Sequence, residues 1–209
     1  MSKLLLSTMA IGKELQMENS HITIGLTNPK SPSNVGAVMR AAGCYCVDQV
    51  LYTGQRYANA AKYNGAKHST DTKNARDKIP LKPTDNFENV QTLRALLPEQ
   101  AKIICVDLVE GAIPLPYFQH PEKALYVFGP EDGTISQKMV DYADEVVYVP
   151  TVGCMNLAAS VNVLLYDRLA KSLLSSSNGD NNKLIQSDNV LIRKSRDTNN
   201  KVKVNLTRE

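Results

Sequence analysis

From about residue 21 to residue 170, short apolar runs alternate with stretches in which apolar residues recur every three or four positions. His21 to Leu26 is a run of the first kind and predicts a buried strand. After the polar, Pro-containing stretch Thr27 to Ser33, Val35, Val38, Met39 and Ala42 recur at helical spacing. A helix is therefore expected from Asn34 to about Gly43, with Ser33 as its N-cap. Gln49 to Tyr52 predicts a second, short strand, and Glu88 to Leu97 a helix with Val90, Leu93 and Leu97 on one face. Lys102 to Asp107, Ala124 to Phe128 and Glu145 to Val149 predict further strands, the last two separated by a helix around Ile135 to Ala143. Asn156 to about Leu174, carrying Leu157, Val161, Leu164 and Leu165, predicts the final helix. Strands alternating with helices in this way build an α/β fold, a mostly parallel sheet flanked by helices.

Two segments break the pattern. Residues 56 to 82 show no core-forming period and carry Arg56, Lys62, Lys67, Lys73, Arg76, Lys78 and Lys82 against only Asp71 and Asp77, with Tyr57, Tyr63 and His68 interleaved. Beyond Leu174 the run SSSNGDNN opens an Asn- and Lys-rich stretch poor in large apolar residues, which reads as a flexible tail. A length of 209 residues suits one domain with such an appendage, placing a globular domain at 1–174 and a polar, basic tail at 175–209. The formal net charge of +3 is too small to announce a nucleic-acid binder by itself, but its distribution is informative. Residues 171 to 209 hold eight basic and four acidic groups, so the remainder of the chain is close to neutral apart from the 56 to 82 segment.

Cys44, Cys46, Cys105 and Cys154 lack the paired spacing of a zinc site, and Cys105 falls inside an apolar run, so reduced thiols in a cytoplasmic protein are expected. His21, His68 and His120 are scattered, and no metal is expected. The apolar run after Lys3 is interrupted by Lys13 and Glu14, which argues against a secretory signal. No stretch approaches the roughly 18 to 20 apolar residues of a membrane span.

In an open α/β sheet, ligands bind beyond the carboxyl ends of the strands. Three distinctive segments fall there: NPKSPSNVGAVMRAAG (28 to 43), FGPEDGTIS (128 to 136) and VPTVGCMNLAASVNVLLYD (149 to 167). Together and in this order they resemble the three motifs of the SpoU, or TrmH, family of RNA 2′-O-methyltransferases in the SPOUT superfamily. Asn34, Gly36 and Arg40 match the first, Gly129, Pro130, Glu131 and Gly133 the second, and Pro150, Gly153 and Asn156 the third. Cys154-Met155-Asn156 stands where the family usually has Ser-Leu-Asn, and the preceding loop is a few residues shorter. Met for Leu keeps an apolar contact, whereas Cys for Ser exchanges a good hydrogen-bond partner for a poor one.

Counting 100° per residue, Arg40 lies opposite the apolar stripe of its helix, so it reads either as a solvated arginine or as a charged fork for a phosphate or ribose. Asn34 reads as a helix cap or as a group that positions RNA or the arginine, and Glu131 as a first-turn carboxylate favouring a helix dipole or as a site residue. The resemblance implies that Arg40, Asn34, Glu131 and Asn156 are catalytic. It places S-adenosyl-L-methionine in a crevice near Val106, Gly129, Val149 and Met155, with Cys154 near the RNA. Arg56, Lys62, Lys67 and Lys73 read either as a charged, solvated loop or as further RNA contacts, since lysine and arginine bind phosphates without reading sequence. An arginine with a pKa above 12 is a poor free base, so Arg40 is expected to act through a substrate phosphate or by polarising the hydroxyl.

The resemblance further implies a C-terminal deep trefoil knot and a homodimer joined through the knot region, acting on tRNA or rRNA. The alternatives are an RNA-binding protein of the same fold with impaired catalysis, motivated by Cys154, and a SPOUT enzyme that methylates a base nitrogen.

Overall fold

In the computed structural model, residues 19–63 and 75–176 are described, together with 192–193, 195–196 and 199–204 near the C-terminus. Seven strands form one sheet: β1 (His21–Leu26), β2 (Gln49–Tyr52), β3 (Leu81–Pro83), β4 (Lys102–Val106), β5 (Ile113–Pro114), β6 (Lys123–Phe128) and β7 (Glu145–Tyr148). Their spatial order is β3-β2-β1-β6-β4-β7-β5, and every pairing is parallel. The helices are α1 (Pro32–Cys44), α2 (Arg56–Tyr63), α3 (Val90–Ala95), α4 (Gln137–Tyr142) and α5 (Leu157–Ser176).

A parallel sheet covered on both faces requires strands apolar on both sides. β6 shows the division: Ala124, Tyr126 and Phe128 join the core beneath α1 and α5, while Leu125 and Val127 join the core on the opposite face with Leu93 and Met139. β4 repeats it, with Ile104 and Val106 on one side and Ile103 and Cys105 on the other. Register locks the two strands together, Cys105 opposite Val127 and Val106 opposite Phe128. α1 and α5 pack against each other on the first face. The chain builds outward from β1 to β3, then returns to the other side of β1, so β1, β6, β4 and β7 send their carboxyl-end loops to one shared edge.

The structure corrects three expectations. The first helix starts two residues earlier, with Pro32 in its first turn and the Ser31 hydroxyl, rather than Ser33, accepting from the Asn34 amide at 3.3 Å. Proline's fixed φ suits that position. The 56 to 82 segment does supply core: Tyr57, Ala75 and Ile79 are buried, and Tyr57 meets Tyr52 edge-on with ring centroids 5.1 Å apart. Its strand β3 and the short β5 escape the sequence pattern because two or three residues cannot display a period. The expected tail lies largely outside the described residues.

Candidate active site

Four loops converge beyond the carboxyl ends of β1, β4, β6 and β7. The loop after β6 presents Glu131, whose carboxylate accepts from the backbone amides of Lys30 and Ser31, each at 3.1 Å to Oε2. It also accepts from Asn34 Nδ2, at 2.7 Å to Oε1. Asn34 Oδ1 in turn accepts from Asn156 Nδ2 at 3.0 Å. Asn156 has its own side-chain oxygen turned to the start of α5, accepting from the amides of Ala158 at 2.9 Å and Ala159 at 3.4 Å. One continuous chain of hydrogen bonds therefore joins all three motifs.

The polarity of that chain is fixed. A carboxylate can only accept, so the Asn34 amide must turn its NH2 toward Glu131 and its oxygen toward Asn156. Asn156 acts as both a helix cap, a role worth about 1 kcal/mol, and a donor to Asn34. Ser31, not Asn34, caps α1, and the Asn34 side chain bridges motifs.

Beside this chain lies a cleft of about 250 Å³. Val106, Gly129, Val149 and Met155, the four expected cofactor residues, all line it, as do Asn34, Glu131, Cys154 and Asn156. Sequence reasoning missed Asp107 and Ser160, which also face it. Asp107 Oδ2 accepts from Thr134 Oγ1 and the Ile135 amide, both at 2.8 Å, and its Oδ1 from the Leu108 amide at 2.8 Å. The sequence pattern counts Asp107 as the last residue of the strand from Lys102, and nothing in the spacing reveals that it braces a loop 27 residues away.

Gly129 is required by that brace. A Cβ there would lie 2.8 Å from Asp107 Oδ2 and 3.3 Å from the Ile135 nitrogen. Gly129→Ala is expected to lower stability by about 1–3 kcal/mol, the usual cost of inserting atoms into a filled site. An unfolding midpoint in urea equal to the native one would show that Asp107 swings aside without penalty.

Among the described residues, no lysine or arginine lines the cleft. Arg40 is exposed on α1 and makes no hydrogen bond or ion pair among the described residues. Six residues beyond Asn34 on a straight helix, it sits about 9 Å further along the axis and about 120° around it. Arg56 is held rather than free: its guanidinium forms a two-pronged pair with Asp132, 2.7 Å at each prong, and Lys30 Nζ approaches Asp132 at 4.0 Å. The hydrogen bonds from Arg56 hold the Asp132 carboxyl below its usual range. Lys62 is exposed on α2, while Lys67 and Lys73 fall outside the described residues. Cys154 and Cys44 are exposed; Cys105 is buried, and burial pushes its thiol up to about 12, leaving it a core residue.

A family model described as the SpoU rRNA Methylase family matches residues 21–166. The chain belongs to this family. The matched span runs from the first residue of β1 into α5, so it contains every residue of the hydrogen-bonded chain and the cleft. No curated protein matches this SpoU family member by sequence. Among solved structures it is similar to the TrmH/SpoU tRNA modifying enzyme of A. aeolicus, at 18% identity over 92% of this chain and 96% of that one, with a TM-score of 0.62. It is also similar to the SpoU methyltransferase AviRb of Streptomyces viridochromogenes in complex with AdoMet, at 18% identity over 73% of this chain, with a TM-score of 0.59. This chain spans only 58% of the length of AviRb. A third structure, described as giving insight into 2-OH methylation of C/U34 on tRNA, shares 20% identity over 75% of this chain and 98% of its own, with a TM-score of 0.59. At these identities the likeness establishes the fold, a parallel α/β sheet with its loops gathered at one edge.

Among the described residues, no helix is long and apolar enough to cross a membrane, and no group of three or more His, Cys, Asp and Glu side chains is arranged to hold a metal ion.

Proposed function

We propose that this SpoU family protein transfers a methyl group from S-adenosyl-L-methionine to a ribose 2′-hydroxyl of tRNA or rRNA. The observation that carries the reading is the Glu131, Asn34, Asn156 chain standing on the rim of a cleft that contains both apolar wall and carboxylate.

The cleft suits a sulfonium donor. Val106, Leu108, Val149 and Met155 offer apolar wall for an adenine, and among the described residues Asp107 and Glu131 are the carboxylates that line it, while no lysine, arginine or histidine does. Such a site has a negative potential that favours a cationic ligand and disfavours an RNA phosphate inside it. S-adenosylmethionine, when bound, supplies a methyl group already activated on sulfur. The protein's part is to position the acceptor hydroxyl in line with that group. Asn34 and Asn156 tie the rim together, Glu131 fastens the 129–133 loop to the start of α1, and Lys62, with Arg56 once it exchanges Asp132 for phosphate and with Lys67 and Lys73, contacts the RNA backbone.

Arg40 is the reacting ribose's partner, and its exposure outside the lining of its own cleft supports a homodimer in which it serves the partner's site. Tyr166, 63% exposed on the helix that packs against α1, supports the same face as the contact. The C-terminal knot belongs to this proposal too, and its support is that Val149, Thr151 and 153–156, just before α5, line the same cleft as the loops after β4 and β6. Cytoplasmic residence fits an RNA substrate and free thiols.

Incubation with labelled S-adenosylmethionine and bulk tRNA or rRNA, followed by nuclease digestion and mass spectrometry, is expected to yield 2′-O-methylnucleosides. A base-methylated product moves the acceptor to a base nitrogen, and RNA binding without cofactor binding sinks the enzymatic reading. Arg40→Ala is expected to lower methyl transfer at least about 100-fold, the order seen for a lost charge-stabilising donor, with cofactor affinity unchanged. Near-native turnover in that variant removes Arg40 from the mechanism.

A further inference from the structure

At the opposite edge of the sheet, the residues preceding β1 and β6 meet the C-terminal half of α5 around a second cavity of about 90 Å³. Ser20, Gln119, His120, Arg168 and Lys171 are among its walls. Arg168 is only 7% exposed. Its guanidinium donates to the carbonyls of Pro121 at 2.6 Å and Glu122 at 2.8 Å, to the Tyr126 hydroxyl at 2.9 Å and to Ser20 Oγ at 3.1 Å. The Lys171 ammonium donates to the carbonyls of Leu115 at 2.6 Å and Phe118 at 2.9 Å and to Asp167 Oδ2 at 2.6 Å.

These hydrogen bonds satisfy the donors without balancing the charge. Carbonyls and hydroxyls are neutral, and Asp167 is the one carboxylate in contact with the cluster among the described residues. His120, its side chain 5% exposed and bonded to Tyr126 and Asp167, adds no negative charge. Among the described residues two cations therefore face one anion, and Arg168 is buried, where an uncompensated charge is costly, while the Lys171 and Asp167 side chains stay 24% and 22% exposed. The adjoining void matches that deficit. It is several times the roughly 10–15 Å³ that a single water requires, room for a small cluster of waters or one tetrahedral oxyanion. Ser20 Oγ accepts from Arg168, so its own O–H is oriented to donate elsewhere, and the Gln119 amide supplies a second donor.

We propose that this cavity is an oxyanion site that takes a phosphate group, held by the excess positive charge of Arg168 and Lys171 and hydrogen-bonded by Ser20 and Gln119. The phosphate is either free or a backbone group of RNA, for the chemistry of recognition is the same. The site lies apart from the methyl-transfer cleft and does not depend on the activity proposed above.

Thermal unfolding of the full chain in inorganic phosphate, against chloride at matched ionic strength, tests the site. Saturable stabilisation by phosphate of a few degrees is expected, because a ligand bound only to the folded state raises its stability as ln(1 + [L]/Kd). Gln119→Glu places a carboxylate at the cavity and is expected to abolish that response while leaving the fold intact. In the native chain, phosphate should also raise the midpoint of the His120 imidazole titration followed by NMR. Melting that tracks ionic strength alone, or a Gln119→Glu variant that still responds like the native chain, overturns the proposal. Filter binding of bulk tRNA then separates the sources: a roughly tenfold loss of affinity in Gln119→Glu assigns the site to an RNA phosphate, and unchanged affinity assigns it to the free anion.

Discussion

Asn34→Asp is expected to lower methyl transfer by about 100-fold or more, equivalent to about 2.7 kcal/mol of barrier. The substitution is nearly isosteric, so its effect is electrical. The Asn34 Nδ2 that donates to Glu131 Oε1 at 2.7 Å becomes an oxygen, and two carboxylates at that separation cannot both be ionised. Either the pair traps a proton or the 129–133 loop moves off α1 and takes the cleft wall with it. The bond from Asn156 survives, because Asp also accepts at that position. This predicts a pH signature that a simple packing defect lacks: the variant's loss of melting temperature relative to the native chain is largest at high pH and shrinks as acid supplies the shared proton. Parallel pH profiles of melting and turnover check it. Equal deficits at pH 5 and pH 8 would show that charge repulsion is not the cause.

The second large effect concerns stability in acid. Burial, opposed in part by the hydrogen bond to Asp167 and reinforced by the Arg168 and Lys171 charges, lowers the His120 imidazole from its ordinary 6.5 to about 4. The surrounding bonds require the neutral ring. Arg168 must donate to the Tyr126 oxygen, Tyr126 O–H then donates to His120 Nδ1 at 2.8 Å, and His120 Nε2–H donates to Asp167 at 2.9 Å. As pH falls from about 6.5 toward 4, the unfolded chain takes up a proton that the folded chain refuses. Folding stability therefore drops across that window, by about 3 kcal/mol at 1.36 kcal/mol per unit. His120→Gln keeps an acceptor for Tyr126 and a donor for Asp167 without titrating, so its urea-unfolding free energy is expected to be flatter between pH 6.5 and 4. A variant with the native slope would place the acid-sensitive group elsewhere.

How far the site was legible follows from how local its signals are. Asn34, Glu131 and Asn156 stand in or just after polar, glycine-containing stretches that follow short apolar runs, Asn34 in the first turn of α1, so each motif is visible where it lies. Their direct bonding spans 97 and 122 residues and is visible nowhere in the chain. Arg56 shows the opposite case. Its charge and basic neighbourhood are plain in the sequence, but its partner Asp132, 76 residues away, is not. Asp107 and the His120, Asp167 and Arg168 cluster gave no signal, because an isolated acid, histidine or helical arginine has no period and no motif.

The sequence by itself determined the α/β class, because strands buried on both faces must be written as continuous apolar runs and covering helices as apolar stripes. It also determined the family, because the three loop motifs keep their order and residue types. Only the tertiary structure decided that these loops meet at one edge, that Asn34 faces Glu131 with its NH2 and Asn156 with its oxygen, and that Gly129 must lack a side chain to admit Asp107. The strand order, with β6 inserted between β1 and β4, creates those contacts. Hydrogen bonds and close packing act over a few ångströms, and only folding brings residues so far apart in the chain within that reach.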